Sequence, residues 1–336
     1  MTLWRLCLPL AISAVSVQTA RADERPPEVT IATWNLEWFY DENEGDNFSK
    51  LSKQLSAPTR KDWDWKRDRV AEVIAAIKPT IIALQEVENR QVLWYLTRRL
   101  EEHHKQHYKI AFAQGSDFYT EQDVAFLYHS GLVEYGRREA SNEQRRSKKY
   151  YNISKHLFAH FVWGAGEKRE RLTLLNVHFR AGETSVELRT RQASIAHEWI
   201  GDLRRRGVDN IVVLGDFNTW VPYSLNSPQP ELATIRGLRN DDSADDLFDL
   251  HLFLDKDERA THMIGTQFDR IMVSSTLLEN SKRKTGLVFE SLRRPKRLVV
   301  RGKTDTEHRD RYYKIPEKER DVSDHYPLVA KFRWRD

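Results

Sequence analysis

Acids, carboxamides and imidazoles recur along this chain in short blocks set against apolar runs: Asn35 with Glu37, Glu86, Asn176 with His178, Asp216 with Asn218, Asp269, and Asp324 with His325. One such block alone is explained as a turn, because Asp and Asn side chains favour turns. Several at strand ends mean more: strand ends on one edge of a sheet converge in space, and a carboxylate there adds nothing to packing. Oxygen donors without a thiolate suit a hard divalent cation, Mg²⁺ or Mn²⁺. Such an ion neutralises phosphate charge and stabilises a leaving oxygen. A histidine beside a carboxylate takes or gives a proton near neutral pH. Asparagine N–H groups hold phosphoryl oxygens without adding charge. The set calls for phosphoester hydrolysis.

Strands must deliver these groups. Val29–Trp34 is rich in β-formers and reads as a strand ending at Asn35. Thr80–Leu84 and Ile211–Leu214 are short apolar runs, read as buried strands that end at Gln85-Glu86 and Gly215-Asp216. Arg171–Val177 ends near Asn176 and His178, Phe268–Val273 contains Asp269, and Pro327–Phe332 follows Asp324-His325. Tyr108–Ala113 and Val124–Tyr128 read as further strands. Val70, Val73, Ile74 and Ile77 keep helical spacing up to Pro79, and residues 90–102 and 186–205 also read as helices. Residues 41–61 are polar with little periodicity and read as a loop. Mixed helices and strands give an α/β (α+β) class, and no linker or repeat divides residues 23–336, so a single domain is expected.

The chain has 336 residues, 40% hydrophobic, 31% charged and 11% aromatic. The aromatic share excludes a disordered chain. No apolar run approaches the ~18 residues needed to span a bilayer, so stable membrane insertion is not expected. Residues 1–22 read as a signal peptide: Arg5, a twelve-residue apolar run from Leu6 to Val17, then Ala20-Arg21-Ala22. Cleavage near Ala22 sends the protein to the periplasm or outside the cell. Cys7, the single cysteine, leaves with the leader, so the mature chain relies on its core or on metals, not on disulfides. Without Arg5 and Arg21 the balance is 52 basic against 50 acidic residues, which excludes nothing by net charge. Local runs differ. Residues 282–303 hold nine Lys or Arg against Glu290, and residues 137–149 hold six against two acids, with Tyr150 and Tyr151 alongside. Each run alone reads as a solvated loop. Facing a cleft, either would track a nucleic-acid backbone.

Six segments carry a resemblance: Thr33-Trp34-Asn35-Leu36-Glu37, Leu84-Gln85-Glu86-Val87, Asn176-Val177-His178-Phe179, Gly215-Asp216-Phe217-Asn218, Phe268-Asp269-Arg270-Ile271 and Ser323-Asp324-His325-Tyr326-Pro327. In this order they resemble the endonuclease/exonuclease/phosphatase superfamily, the group of deoxyribonuclease I, exonuclease III, the inositol polyphosphate phosphatases and the neutral sphingomyelinases. The resemblance implies a four-layer sandwich of two central mixed β-sheets flanked by helices. It implies that Asn35 and Glu86 bind the divalent cation, with Asp324 completing or supporting the site and Glu37 a further candidate ligand. It makes His325 the general base or its electrostatic equivalent, oriented by Asp269, and has Asp216 position or deprotonate the attacking water. Asn176 and Asn218 would hold phosphoryl oxygens, and His178 would protonate the leaving oxygen.

The departures narrow the choice. Val87-Glu88-Asn89 follows the metal glutamate where repair enzymes tend to place a lysine, and Gln267-Phe268-Asp269-Arg270 replaces the Trp-Cys-Asp-Arg run of inositol phosphatases. The block Asn176-Val177-His178-Phe179-Arg180-Ala181-Gly182 is similar to bacterial secreted nuclease-like members, with Arg180 a candidate phosphate contact. The expected activity is a Mg²⁺-dependent phosphodiesterase, a monomer cutting DNA or RNA with low sequence specificity. A sphingomyelinase-like phospholipid phosphodiesterase or another phosphatase is the second reading; the lipid enzyme needs an exposed apolar loop, and no long one is evident. A non-catalytic binding protein keeping the fold is the third, opposed by a competent residue in every block. Trp220, close after Asn218, reads as packing or as a stacking platform at the site.

Overall fold

A computed structural model describes residues 23–138, 152–220, 229–281, 283–302 and 308–335. The leader, most of the 137–149 run, Tyr150 and Tyr151 lie outside these residues. The strands are β1 Val29–Phe39, β2 Ile81–Val87, β3 Lys109–Phe112, β4 Asp123–Tyr128, β5 Leu132–Gly136, β6 His156–Trp163, β7 Glu170–His178, β8 Ile211–Asp216, β9 Leu247–Asp249, β10 Asp269–Ser274, β11 Gly286–Arg293 and β12 Leu328–Arg335. They form two six-stranded sheets, ordered β11-β12-β1-β2-β4-β3 and β5-β6-β7-β8-β10-β9. In each sheet one central pair is parallel, β1 with β2 and β7 with β8, and the other pairings are antiparallel.

Alternation along the strands builds the layers. Val29, Ile31, Ile81, Ala83, Leu172, Leu174, Val212, Leu214, Ile271 and Val273 face the space between the sheets and form one core. Ala32, Trp34, Ile82 and Leu84 point the other way, into a second core with the helices Arg60–Ile77 and Arg90–His104. Leu175, Val177, Ile211 and Val213 pack outward on the helix Val186–Arg205. The result is a four-layer α/β sandwich.

Two sequence expectations are corrected. Residues 41–61 contain the short helix Lys50–Leu55 and the start of the helix Arg60–Ile77. Their signals are caps, not periodicity: Ser49 Oγ accepts from the Ser52 N–H and Thr59 Oγ1 from the Asp62 N–H. The basic run 282–303 contains the strand β11, which pairs with β12 at the edge of its sheet. Arg283 is bound there to Glu170 at 2.7 Å, and Arg294 donates to the Ala260 carbonyl.

Between β2 and the next helix the chain turns within Glu88-Asn89. Asn89 Oδ1 caps the helix on the Gln91 and Val92 N–H groups. Glu88 is turned inward, accepting from the Asp41 N–H and from Asn47 Nδ2. Burial pushes its carboxyl up to about 8, from 4.5. The native state then keeps a proton that the unfolded chain has lost, so this contribution to stability is full below about pH 4.5 and fades as pH rises through about 8. Glu88→Gln should remove a pH-dependent loss on the order of a few kcal/mol. Denaturant unfolding at pH 5 and 8.5 checks this; equal slopes in variant and parent would contradict it.

Candidate active site

The inter-sheet core becomes polar at one end. Two residues after Ile31, Ala83, Leu174 and Leu214, and two before Ile271 on the antiparallel β10, stand Thr33, Gln85, Asn176, Asp216 and Asp269 on the same faces, and two after Thr33 and Asn176 stand Asn35 and His178. The innermost of these form a closed seam between the sheets. Gln85 Nε2 donates to Thr33 Oγ1 at 3.1 Å and to Asn176 Oδ1 at 2.8 Å. Asn176 Nδ2 donates to the Leu84 and Ala125 carbonyls of the opposite sheet. Above this seam opens a cleft of about 780 Å³, lined among others by Glu86, His178, Asp216, Asn218, Asp324 and His325.

Asn35 bridges the cleft's carboxylates, its Nδ2 donating to Glu86 Oε1 at 3.1 Å and Asp216 Oδ2 at 3.0 Å. The other Glu86 oxygen accepts from the Trp38 N–H at 2.9 Å. Glu37, Trp38, Glu86 and Asn218 have φ of 52°, 48°, 60° and 51°, a left-handed backbone that costs a non-glycine residue energy and clusters at functional sites. Beside them, Gly215 has φ 133°, and a Cβ there would come 2.0 Å from the Val177 carbonyl oxygen. Only glycine lets β7 and β8 approach closely enough to set His178 against Asp216. His178 Nε2 lies 3.5 Å from Asp216 Oδ2 and 3.9 Å from Glu86 Oε1.

His325 donates through Nδ1 to Asp269 Oδ2 at 2.8 Å, and its Nε2 faces Asp324 Oδ1 at 3.8 Å and Asp216 Oδ2 at 3.9 Å. Its backbone is tied down: Ser323 Oγ donates to the Asn35 carbonyl and accepts from the His325 N–H, and Trp34 Nε1 donates to the His325 carbonyl. Charges here are pushed apart. Burial works against an imidazolium at His325, but Asp269 and Asp324 outweigh it and raise its pKa well above the ordinary value. Burial, with Asp324 adding, pushes Glu86 up to about 6, and Asp216 also rises to about 6. Burial would raise Asp324 too, yet His325 and His262 hold it well below the usual carboxylate range.

Residues 30–333 match the sequence profile of the Endonuclease/Exonuclease/phosphatase family. The chain belongs to this family. Among curated proteins none is similar enough in sequence to count as a relative. The fold is shared with an endonuclease/exonuclease/phosphatase from Bacteroides vulgatus, at 18% identity and TM-score 0.56, over 91% of this chain and 98% of that one. It is also shared with the human Nocturnin catalytic domain with bound sulfate anion, at 16% identity and TM-score 0.56, over 93% and 96% of the two chains. A third is D. rerio TDP2 complexed with single strand DNA product, at 14% identity and TM-score 0.55, over 92% of this chain and all of that one.

Members of the endonuclease/exonuclease/phosphatase family are metal-dependent phosphoesterases, and this cleft suits a divalent cation. Oxygens of Glu86, Asp216 and Asp324 are gathered there, and Asp324 Oδ1 is buried without a hydrogen-bond partner. His262, Asp324 and His325 also bring one ligand atom each within 4.8 Å of one another.

The family's motif residues do not all reach the cleft. Asn176 was expected on phosphoryl oxygens, but it is fully buried and spends its whole amide on the seam. It sits one alternation below His178, and that step separates floor from cleft. Asn176→Ala should cost roughly 1–3 kcal/mol, because Gln85 and two carbonyls lose their partners; an unchanged denaturation midpoint would contradict this. Glu37, expected near the metal, accepts at one oxygen from His308 Nδ1 at 2.7 Å and at the other from the Asp324 N–H at 3.0 Å. It buttresses Asp324 and offers no open ligand face. Asn35 likewise turns Oδ1 to the Glu37 N–H and presents nitrogen to the carboxylates. His178, expected to protonate the leaving oxygen, is held neutral by burial, then by the charges of Lys155 and His325. Asn218 donates from Nδ2 to the Phe179 carbonyl, and Arg180 stands exposed at the rim.

Trp220 lines the cleft and packs edge-to-face on Phe268 at 5.5 Å. Among the described residues of 282–303, none lines the cleft. Sequence reasoning missed His262, whose Nε2 lies 3.2 Å from Asp324 Oδ2, and His308, which joins the cleft through Glu37. It missed Lys155 as well, another cleft residue, paired with Asp117 at 3.1 Å. None of the three stands in a motif, so spacing carried no signal for them.

Proposed function

We propose that this chain is a Mg²⁺- or Mn²⁺-dependent phosphodiesterase that cleaves DNA or RNA with low sequence specificity, as an exported monomer. The observation that carries the reading is the His325–Asp269 pair at 2.8 Å, turned toward Asp216 and Asp324 in one buried cleft with Glu86. Glu86 and Asp324 are the residues that would hold the cation, with Asn35 beside them. When bound, the cation supplies charge neutralisation at the phosphate and at the departing oxygen.

The chain's own residues divide the proton work. His325, kept as an imidazolium by Asp269 and Asp324, donates a hydrogen bond to a phosphoryl oxygen as negative charge develops. Asp216, with a carboxyl near 6, is ionised at neutral pH and takes the proton of the attacking water. Asn35 aligns Asp216 and Glu86 with each other. Arg180 at the rim and Trp220 in the cleft suit a charged backbone and a stacked base.

A phospholipid reading draws support from Phe48 and Phe118, which are 87% and 78% exposed. One panel separates the readings: the mature chain with Mg²⁺ or with EDTA is given plasmid DNA, single-stranded DNA, RNA and sphingomyelin vesicles. Metal-dependent scission of nucleic acid is expected. Phosphocholine release with nucleic acid untouched would replace the proposal with the lipid one.

A further inference from the structure

A second cavity of about 460 Å³ adjoins the cleft, and Glu37 and Trp38 line both. Its remaining wall has the aromatic pair Tyr312 and Tyr313, the apolar Leu55 and Pro58, and polar groups at Asp62, Arg311 and Lys314. The size falls within the range of small-molecule sites, which combine mostly apolar walls with a few polar groups.

Two features set this cavity apart from a packing defect. Its aromatic wall is fixed before any ligand arrives: Tyr312 is buried, with its hydroxyl accepting from Lys66 Nζ at 2.9 Å and donating to the Val322 carbonyl. The Arg320 guanidinium lies over Tyr312 and Tyr313, 5.6 Å and 5.3 Å from the ring centres. Second, Trp38 reaches both cavities from a bulge in β1, between Asn35 and Phe39, with two consecutive residues in the left-handed region. A bulge of this kind re-aims a side chain at the cost of strain, and it persists where that aim is used.

We infer that this cavity is a subsite for the nucleobase adjacent to the phosphate being cleaved, an inference that rests on the nuclease reading above. A base is planar and stacks on aromatic faces whatever its identity. Because Glu37 and Trp38 are shared, one nucleotide spans both cavities, its phosphate in the cleft and its base against Tyr313. A platform of this kind accepts every base and gives the low sequence specificity proposed.

Calorimetry on the full chain in Mg²⁺ tests this with thymidine 5′-phosphate, thymidine 3′-phosphate and deoxyribose 5-phosphate. One of the two nucleotides should bind roughly tenfold or more tightly than the base-free sugar phosphate. Tyr313→Leu, which keeps bulk but removes the flat face, should erase that difference and leave sugar phosphate binding unchanged. Leu55→Trp, which fills the cavity from the other wall, should do the same if Tyr313→Leu does not fold. Equal binding of all three ligands, or a difference that survives in the folded variants, overturns the inference. Cleavage of plasmid DNA and of RNA is scored separately: scission without base-dependent binding rejects the subsite alone, and base-dependent binding with neither nucleic acid cut rejects the nuclease reading and reduces the cavity to a nucleotide-binding site.

Discussion

Asp269→Asn is expected to lower kcat for phosphodiester cleavage by roughly 10²–10⁴-fold, with little change in KM. Asp269 is fully buried and holds His325 Nδ1 at 2.8 Å. It is the strongest of the charges that keep this imidazole protonated. Asparagine keeps the shape and loses the charge, so the pKa of His325 falls. If the imidazolium is the working form, the variant recovers part of its deficit as pH is lowered and loses more as pH is raised. A base role for His325 predicts the opposite tilt. Pre-steady-state or steady-state rates from pH 5 to 9 decide between them. His325→Ala should match the loss at neutral pH and show neither tilt.

The second large effect belongs to Glu86. Glu86→Gln should reduce Mg²⁺-dependent cleavage by roughly 10²–10³-fold or more. It should also change stability in a way that identifies the cause. In EDTA the carboxylate sits largely out of water and within the field of Asp324, and neutralising it relieves that repulsion. The variant should therefore melt above the parent in EDTA. Mg²⁺ should raise the parent's Tm by binding the native state only, and should raise the variant's far less. A Tm response to Mg²⁺ that is identical in both proteins would remove Glu86 from the cation site.

Much of the architecture was legible from alternation and apolar runs. The helix Val186–Arg205 was read at its full length, and β8 and β10 fall within a residue or two of expectation. What escaped was an edge strand and a strand buried on both faces. The strand β11 lies inside a basic run, and its polar residues Glu290, Ser291 and Arg293 face solvent, so composition hid it. The strand β6 escaped because it is buried on nearly every residue and so shows no period of two. Site residues were legible where a block ended a strand. The motif did not reveal which of two residues on one face reaches the cleft. Asn176 and His178 differ by one step along β7, and only the docked second sheet determines that Asn176 is floor and His178 is lining. The partners of Glu37 and Asp324 were invisible for another reason: His308 opens the single-turn helix His308–Arg311 and His262 lies between elements, both too short of regular structure for periodicity to point to them.

The seam of Thr33, Gln85 and Asn176 bears on how the two sheets find each other. Greasy faces tolerate sliding, because one leucine contact is worth about as much as the next. An interior amide does not: shifted by one residue in either direction, it leaves several polar atoms stranded away from water, at about 1–3 kcal/mol apiece. The seam thus acts as a registration key, admitting one alignment of the halves during folding and rejecting near misses. That same alignment brings Asn35 and Glu86 from one half to Asp216 from the other, so correct assembly of the sandwich and assembly of the reactive centre are a single event.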